Sequence, residues 1–314
     1  MSAGATPGIA PSIPGGFPWP SIPRPFSYGN LSQPVETIDV AVAVPVPAYL
    51  HDHLVSGRVV LPAVEALQVL AATLPASVFA DPCRQESGAF SHLLTVEPGL
   101  REIPAVHEIS RFANGSCLSR LLTVRSGRQA KWTRRVEHAS VLFLPAGEET
   151  DRMETPSAAG AEPVFTLPCR LLYEELVPFG PAYQNVAGDV SLTETAAWAK
   201  VSGGEAPGPV RPLGSPFPAD AAFHIACAWA QRYRNTVAFP VGFRRRRIFA
   251  PTRAGGTYDC RVVPLPGEAP VLRFNVWLRD RDGGDAEIIQ GLEMRDISGG
   301  RRTPPAWVRK PRET

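Results

Sequence analysis

Two pairs of polar residues lie in or beside apolar stretches of this sequence, and their side chains are suited to proton transfer. His51 and His53 come just before "GRVVLPAVEALQVLAATL", an almost wholly apolar run. Asp220 and His224 lie inside a second such run, "PADAAFHIACAWAQRY". A histidine titrates near neutral pH, so a neutral imidazole can act as a base at the mouth of an apolar channel. A structural histidine at the end of a strand is the other interpretation, and the pattern alone leaves both open.

The two apolar runs predict the elements that would position these side chains. Apolar residues cover nearly every face of each run, which indicates helices near 62–74 and 218–233 that are buried on all sides. Asp220 and His224 are one helical turn apart and share a face of the second helix. Aspartate is also a preferred N-cap, so Asp220 by itself is compatible with a capping role.

Strands are predicted in both halves, before and after each helix. Alternating or β-branched residues and breaks at Gly or polar residues indicate them. The segments are "TIDVAVAVPVP", "HLLTVEP", "AVHEISRFA", "CLSRLLTVRS" and "RRVEHASVLFLP" in the first half, and "VAGDVSL", "AAWAKVSG", "VGFRRRRIF", "TYDCRVVPL", "VLRFNVWLRD" and "EIIQGLEMRDI" in the second. A buried helix with several antiparallel strands therefore occurs twice, which indicates an internal structural duplication.

Composition divides the chain further and limits its partners. The expected parts are a Pro- and Gly-rich leader (1–36), an N-terminal half (37–150), a linker (151–164), a C-terminal half (165–298) and a basic, proline-containing tail (299–314). The net charge of +2 gives no reason to expect nucleic acid or an anionic membrane as the main partner. The five cysteines form no CxxC pair, and no secretory signal or membrane-length apolar run is present. A cytoplasmic protein is expected.

Three motifs in order resemble those of the dehydratase domains of polyketide synthases. The first is HxxxGxxxxP, formed by His53, Gly57 and Pro62, the second is "FGPAYQ" at 179–184, and the third is "PFPADAAFH", with Asp220 and His224. The resemblance extends over about residues 37–298. It implies an α+β double hotdog, in which two antiparallel sheets are each wrapped around a long buried helix.

The resemblance also implies a reaction, the dehydration of a 3-hydroxyacyl thioester to the trans-2-enoyl thioester. His53 would take the α-proton, and Asp220, kept protonated by apolar surroundings, would protonate the leaving hydroxyl. His224 would hydrogen-bond Asp220 or that hydroxyl, and amides near 61–64 would polarise the thioester carbonyl. The residues expected to shape the substrate site are Gly57, Pro62, Ala63, Tyr173, Phe179, Gly180, Pro181 and Gln184.

Two positions depart from the family pattern and keep other functions open. Ala63 stands where the family usually has Gly after the motif proline, and Phe179 stands where it usually has Tyr. The alternatives are a hotdog thioesterase, an enoyl isomerase, and a catalytically degenerate hotdog that binds an acyl chain or acts as a scaffold.

The expected partners follow from the same resemblance. No cofactor is expected, because the substrate would be carried on phosphopantetheine, by an acyl carrier protein or as an acyl-CoA thioester. Other synthase subunits are further candidates, and the chain would be a monomer with two hotdogs or a homodimer. His51, Asp52, His53 and His224 lack the spacing of a metal motif, so no metal is expected. "FRRRRIF" at 243–249 is either a solvated strand or a surface for an acidic carrier.

Overall fold

The computed structural model describes residues 31–126, 133–147, 164–205, 211–267 and 270–309. The leader expected at 1–36 and the linker expected at 151–164 lie almost entirely outside these ranges. The first strands of the two halves begin at Glu36 and Phe165.

The N-terminal half is an antiparallel sheet with one helix against it. Its strands pair in the order β1-β5-β6-β7-β4, and helix α1 packs on β6 and β7. A small hairpin, β2–β3, precedes the helix. The elements are β1 (Glu36–Pro45), β2 (Leu54–Val55), β3 (Arg58–Val59), α1 (Ala63–Ala72), β4 (Ala80–Ala89), β5 (Glu102–Arg111), β6 (Cys117–Ser126) and β7 (Thr133–Pro145).

The C-terminal half repeats this plan with a longer helix. Its strands pair in the order β11-β14-β13-β12-β10-β9-β8, and helix α3 packs on β9, β10, β12 and β13. The elements are β8 (Phe165–Leu167), α2 (Cys169–Leu171, continued by a π-helical turn at Leu172–Leu176), β9 (Val186–Leu192), β10 (Ala197–Ser202), α3 (Phe217–Arg234), β11 (Phe239–Ile248), β12 (Thr257–Pro264), β13 (Val271–Arg279) and β14 (Asp285–Arg295).

Both central helices agree with the apolar runs in the sequence. Every residue from Phe217 to Gln231 is buried, so α3 has no solvent-facing side until its last turn. Asn235 then ends the helix in the left-handed conformation, with φ of 51°, which Asn adopts more readily than most residues. Among the described residues, no helix is long and apolar enough to cross a membrane.

The two half-sheets join edge to edge. β4 of the first half pairs antiparallel with β11 of the second, so all the described strands except the β2–β3 hairpin form one continuous 12-stranded sheet. A sheet wraps around one helix in each half, and the expected α+β double hotdog is confirmed. The join leaves neither β4 nor β11 as an exposed edge strand, which removes a site of unwanted strand pairing.

One expected strand is absent, and four observed strands (β2, β3, β4 and β8) were not expected. Residues 92–98 are irregular, and there only Thr95 forms a bridge, to Val60. The strand lies earlier, at β4, whose sequence "ADPCRQESGA" has neither alternation nor β-branched residues. Its pairing depends on β7 and β11 on either side, and such tertiary context can override weak β-propensity.

The described part of the expected tail is packed rather than extended into solvent. Val308 is fully buried in a 3-10 turn (Ala306–Val308), and its carbonyl accepts a hydrogen bond of 3.0 Å from Nη1 of Arg232 at the end of α3. The indole of Trp307 donates to Glu175. Residues 299–309 are therefore part of the folded C-terminal half.

The junction of the half-sheets provides a stability test. Gly88 of β4 faces Phe243 of β11, and a Cβ atom on residue 88 would lie 2.3 Å from that ring. Gly88→Ala should lower the free energy of unfolding by about 1–3 kcal/mol because the ring is fully buried and has little room to move. Denaturant unfolding measures the loss. Phe243→Leu removes the ring, so Gly88→Ala should cost less stability in the Phe243→Leu background than in the wild type. An equal cost in both backgrounds would contradict the proposed clash.

Candidate active site

A cavity of about 110 Å³ lies between the two halves, and His53, Asp220 and His224 line it. The rest of its lining is mainly apolar and comes from both hotdogs. It includes Leu61, Ala63, Ala66, Phe90, Leu94, Leu176, Val177, Phe179, Phe223, Val237, Met294 and Ile297. The structure thus brings the candidate base of the first half and the candidate acid of the second half to one apolar pocket.

His53 is held with one ring nitrogen occupied. It follows the 3-10 helix Ala48–Asp52 and is 8 % exposed. Its Nδ1 lies 2.8 Å from the carbonyl oxygen of Val60, to which Nδ1–H donates. In the neutral ring the lone pair then belongs to Nε2. Burial lowers the pKa of His53 and outweighs the opposing effects that an ionised Asp220 and the Val60 hydrogen bond have on it. The shift favours the neutral imidazole.

Asp220 lies in the first turn of α3 and is 5 % exposed. The helix begins after Pro216 without any side-chain cap, and the Asp220 amide already donates to the Pro216 carbonyl at 3.1 Å. The capping interpretation of Asp220 is therefore wrong. Its carboxyl group faces the cavity instead, where it can act on a bound molecule.

His224 links Asp220 to a buried tyrosine. His224 Nε2 lies 3.1 Å from Asp220 Oδ2, although the angle is not that of a hydrogen bond. On the other side of the ring, Nδ1 lies 3.3 Å from the Tyr173 hydroxyl. That hydroxyl accepts the Val186 amide at 2.9 Å, so its own proton is directed to His224 Nδ1. The neutral ring of His224 then carries its proton on Nε2, the nitrogen nearer to Asp220. This arrangement supports an orienting role for His224.

Phe179 separates the two imidazoles. Its ring centroid lies 4.3 Å from that of His53 and 5.1 Å from that of His224. An aromatic ring at this position gives the pocket an apolar wall between its basic groups. Because Phe179 belongs to the second half, it also carries packing contacts across the interface to His53.

Asp52 anchors the turn that carries Phe179. The Gly180 amide donates to the Asp52 carbonyl at 2.8 Å, and the Ala182 amide donates to the Asp52 carboxylate at 2.8 Å. A Cβ atom on residue 180 would lie 2.5 Å from the Asp52 side chain, so the close approach requires glycine. In the sequence, the position of Asp52 beside His53 is the one available signal of this role.

Several residues expected to shape the substrate site lie outside the cavity lining. Gly57 forms the β2–β3 turn with φ of 72°, and the Pro62 carbonyl accepts the first amides of α1. Tyr173 acts behind His224. Pro181 begins a 3-10 turn, and the partly exposed Gln184 donates its side-chain amide to the Phe179 carbonyl at 2.8 Å. These contacts shape the walls, while direct substrate contact by these residues stays a prediction.

The amides expected to polarise a carbonyl are only partly available. The Leu61 amide donates to the Leu94 carbonyl at 2.8 Å, and Pro62 has no N–H, so neither can serve. Ala63 and Val64 occupy the first turn of α1, where the helix itself provides no acceptor. Ala63 lines the cavity, which makes the Ala63–Val64 end of the expected group the candidate donor.

A buried ionic cluster beside the pocket was missed. Glu65 of α1 accepts hydrogen bonds from Tyr49 at 3.0 Å and from Arg211 at 2.7 Å, and Arg211 also donates to the Tyr49 hydroxyl. Burial raises the pKa of Glu65 while Arg211 opposes the rise, and burial raises the pKa of Tyr49 to about 12. A carboxylate inside an otherwise apolar predicted helix was the signal that could have indicated it.

Two more histidines line the cavity on the first-half wall. His92 donates from Nδ1 to the Glu137 carbonyl at 2.8 Å. His138 contacts the His92 carbonyl at 3.1 Å and the Thr123 hydroxyl at 2.8 Å, and burial lowers its pKa to about 4. Through these hydrogen bonds, both rings connect β7 to the segment that comes directly after β4. Within the described ranges, no group of three or more His, Cys, Asp or Glu side chains could hold a metal ion.

Comparison with known proteins agrees with this geometry. The family model described as the polyketide synthase dehydratase N-terminal domain matches residues 170–304, which include α3 and Asp220. None of the curated proteins matches the chain. The matched family model and the fold confirm the resemblance seen in the motifs.

Similar solved structures are dehydratase domains. One is from a mycocerosic acid synthase-like polyketide synthase (TM-score 0.66, 20 % identity, 84 % of this chain and 93 % of that one). Another is from the CurF module of curacin polyketide synthase (0.64, 16 %, 86 % and 95 %). A third is from PpsC of Mycobacterium tuberculosis, solved with C12:1-CoA (0.59, 20 %, 82 % and 93 %). At these identities the likeness establishes the fold.

Asp52 provides a test of how the site is held together. Asp52→Ala should lower the free energy of unfolding by about 1–3 kcal/mol because the Ala182 amide loses its acceptor in a partly buried position. Asp52→Asn keeps an oxygen acceptor and should cost less. Denaturant unfolding compares the two variants. Equal stability of Asp52→Ala and the wild type would show that the Asp52 carboxylate does not anchor the turn.

Proposed function

We propose that this chain dehydrates a 3-hydroxyacyl thioester to the trans-2-enoyl thioester, with the acyl group carried on the phosphopantetheine of an acyl carrier protein. The family model and the fold support a dehydratase role in polyketide synthesis. The observation that carries the finer proposal is the pairing of His53 with Asp220 across one apolar cavity, with each group supplied by a different hotdog.

The proposed reaction balances with these two groups alone. Nε2 of His53 takes the α-proton, and the electron pair of that C–H bond forms the Cα–Cβ double bond. The Cβ–O bond breaks, and the carboxylic acid of Asp220 protonates the leaving hydroxyl, which departs as water. A proton then passes from the His53 imidazolium back to the Asp220 carboxylate, which restores the starting state.

The apolar walls support both steps. They exclude water, so electrostatic interactions between the enzyme and the developing charges are stronger than in solution. The amides of Ala63 and Val64 are the groups proposed to polarise the thioester carbonyl while the α-proton leaves. His224, held by Tyr173, is proposed to keep the Asp220 carboxyl group turned toward the cavity.

An acyl thioester is the ligand class that this site suits. The similar domain of PpsC was solved with C12:1-CoA, which supports a thioester with an apolar chain for this cavity too. Delivery by a carrier protein rather than by free coenzyme A is part of the proposal and follows from the synthase context of the family. Comparing kcat/KM for carrier-bound and CoA-bound 3-hydroxybutyryl groups tests this part.

Substitution of the two central residues tests the assignment. His53→Ala and Asp220→Asn should each lower kcat for enoyl formation by about 10²- to 10⁴-fold, because each removes a proton-transfer group and the asparagine keeps the shape. His224→Ala should cost less, on the order of 10-fold, if it only orients Asp220. The absorbance of the enoyl thioester measures the rate in both directions.

His51→Ala is the matched control, since His51 is exposed, lies outside the cavity and should leave kcat unchanged. Release of free thiol from the substrate would indicate a thioesterase instead. A folded His53→Ala variant with wild-type rates would contradict the proposal, and wild-type protein without any turnover would favour the acyl-binding scaffold.

The pH profile gives an independent test of the base. Because the pKa of His53 is lowered by burial, the neutral imidazole persists to more acidic pH than in an exposed histidine. The value of kcat/KM should therefore rise with pH along an acidic limb whose midpoint lies below about 6.5. An acidic limb centred above that value, measured in protein shown to stay folded, would argue that a different group is the base.

A further inference from the structure

A ladder of large side chains crosses the outer face of the second half-sheet. Trp198 of β10 is directly opposite Arg261 of β12, and Arg261 is directly opposite Trp277 of β13. The neighbours of Arg261 in sequence, Cys260 and Val262, face the core, so the ladder lies on the face away from α3. The guanidinium carbon of Arg261 is 5.9 Å from the centroid of the Trp198 ring.

The ladder holds hydrogen-bond donors that have no acceptor. Nε and Nη1 of Arg261 and the indole N–H of Trp277 are buried, and none has a partner within the described part of the chain. Trp277 is only 2 % exposed. Burial lowers the pKa of Arg261, and no carboxylate offsets that effect. Buried donors of this kind are nearly always satisfied in folded proteins, so their number at one place indicates a missing acceptor.

The surroundings limit the charge of that acceptor. The ladder lines a hollow of about 640 Å³. Four basic side chains, Arg261 among them, and three acidic side chains line this hollow. Lys200 is paired with Asp259 at 3.5 Å, and Arg279 is paired with Asp285 at 3.0 Å. Among the described residues, Arg261 and Arg281 are the two cations of this hollow without an ion pair, but Arg281 donates to the Thr257 hydroxyl at 3.4 Å, which leaves Arg261 as the cation without any acceptor. The nearby carboxylates would repel a phosphate dianion. A single carboxylate fits this balance.

We propose that the Trp198–Arg261–Trp277 ladder binds a carboxylate side chain from an acidic segment of a partner protein. Tryptophan and arginine are the residue types that contribute most at protein interfaces, where they pair apolar contact area with a directed donor. The carboxylate would accept from the partly exposed Arg261 guanidinium, next to the Trp277 indole, and apolar neighbours of the acidic residue would cover the Trp198 ring. This surface lies on the opposite side of the sheet from the catalytic cavity.

The test follows the Trp277 indole N–H by NMR in the full-length protein labelled with ¹⁵N, with Trp277→Phe identifying its resonance. The probe is a short acetylated and amidated peptide of alternating Glu and Leu. It should shift this resonance saturably, and Arg261→Gln should weaken binding by about 10-fold or more because the carboxylate loses its charged partner. Arg261→Lys keeps the charge but loses the planar set of donors, so its affinity for the peptide should lie between those of the wild type and Arg261→Gln.

Arg244→Gln is the matched control, since Arg244 is an exposed arginine on β11 outside the hollow, and it should leave the affinity within about 2-fold of the wild type. Thermal unfolding confirms that each variant is folded. Equal losses in Arg244→Gln and folded Arg261→Gln, no saturable shift in the wild type, or equal affinity for the Gln-for-Glu peptide would each overturn the proposal. Tighter binding of glutarate or inorganic phosphate than of the peptide would also overturn it.

Discussion

The contact between Asp52 and the Gly180–Ala182 turn is the interaction on which the site depends. Two amides of the second half converge on the one residue that precedes His53. Since backbone amides are rigidly placed, this contact fixes the turn and, through it, the Phe179 ring against both imidazoles. His53 on one hotdog and Asp220 on the other can share a cavity only if such a contact sets their separation.

Polar groups inside the apolar interior are arranged so that most have partners. His53 is satisfied by a backbone carbonyl, His224 by Tyr173, and Glu65 by Tyr49 and Arg211. Burying such groups without partners would cost several kcal/mol each, on the order of 2–7. The exceptions are informative. Asp220 Oδ2 and His224 Nε2 lie close together without hydrogen-bond geometry, which leaves capacity for a bound molecule.

Continuity of the sheet holds the two walls of the candidate site together. β4 and β11 make the two hotdogs one body, and the absence of a side chain at Gly88 allows the buried Phe243 ring to lie across the junction. The cavity therefore lies between halves that cannot separate without breaking the backbone hydrogen bonds between β4 and β11. The Trp198–Arg261–Trp277 ladder lies on the outer face of the same sheet, away from the cavity.

Local patterns in the sequence determined the two central helices, most strands and the candidates His53, Asp220 and His224, because helical and strand periodicity and motif spacing are properties of neighbouring residues. The tertiary structure decided what depends on residues far apart in the chain. In the structure, β4 forms a strand and residues 92–98 do not, the Leu61 amide is already hydrogen-bonded, and Gly57 lies outside the cavity. Asp52 holds the turn through contacts such as that with Ala182, 130 residues away. Only the folded backbone brings such pairs together, so no local pattern could encode them.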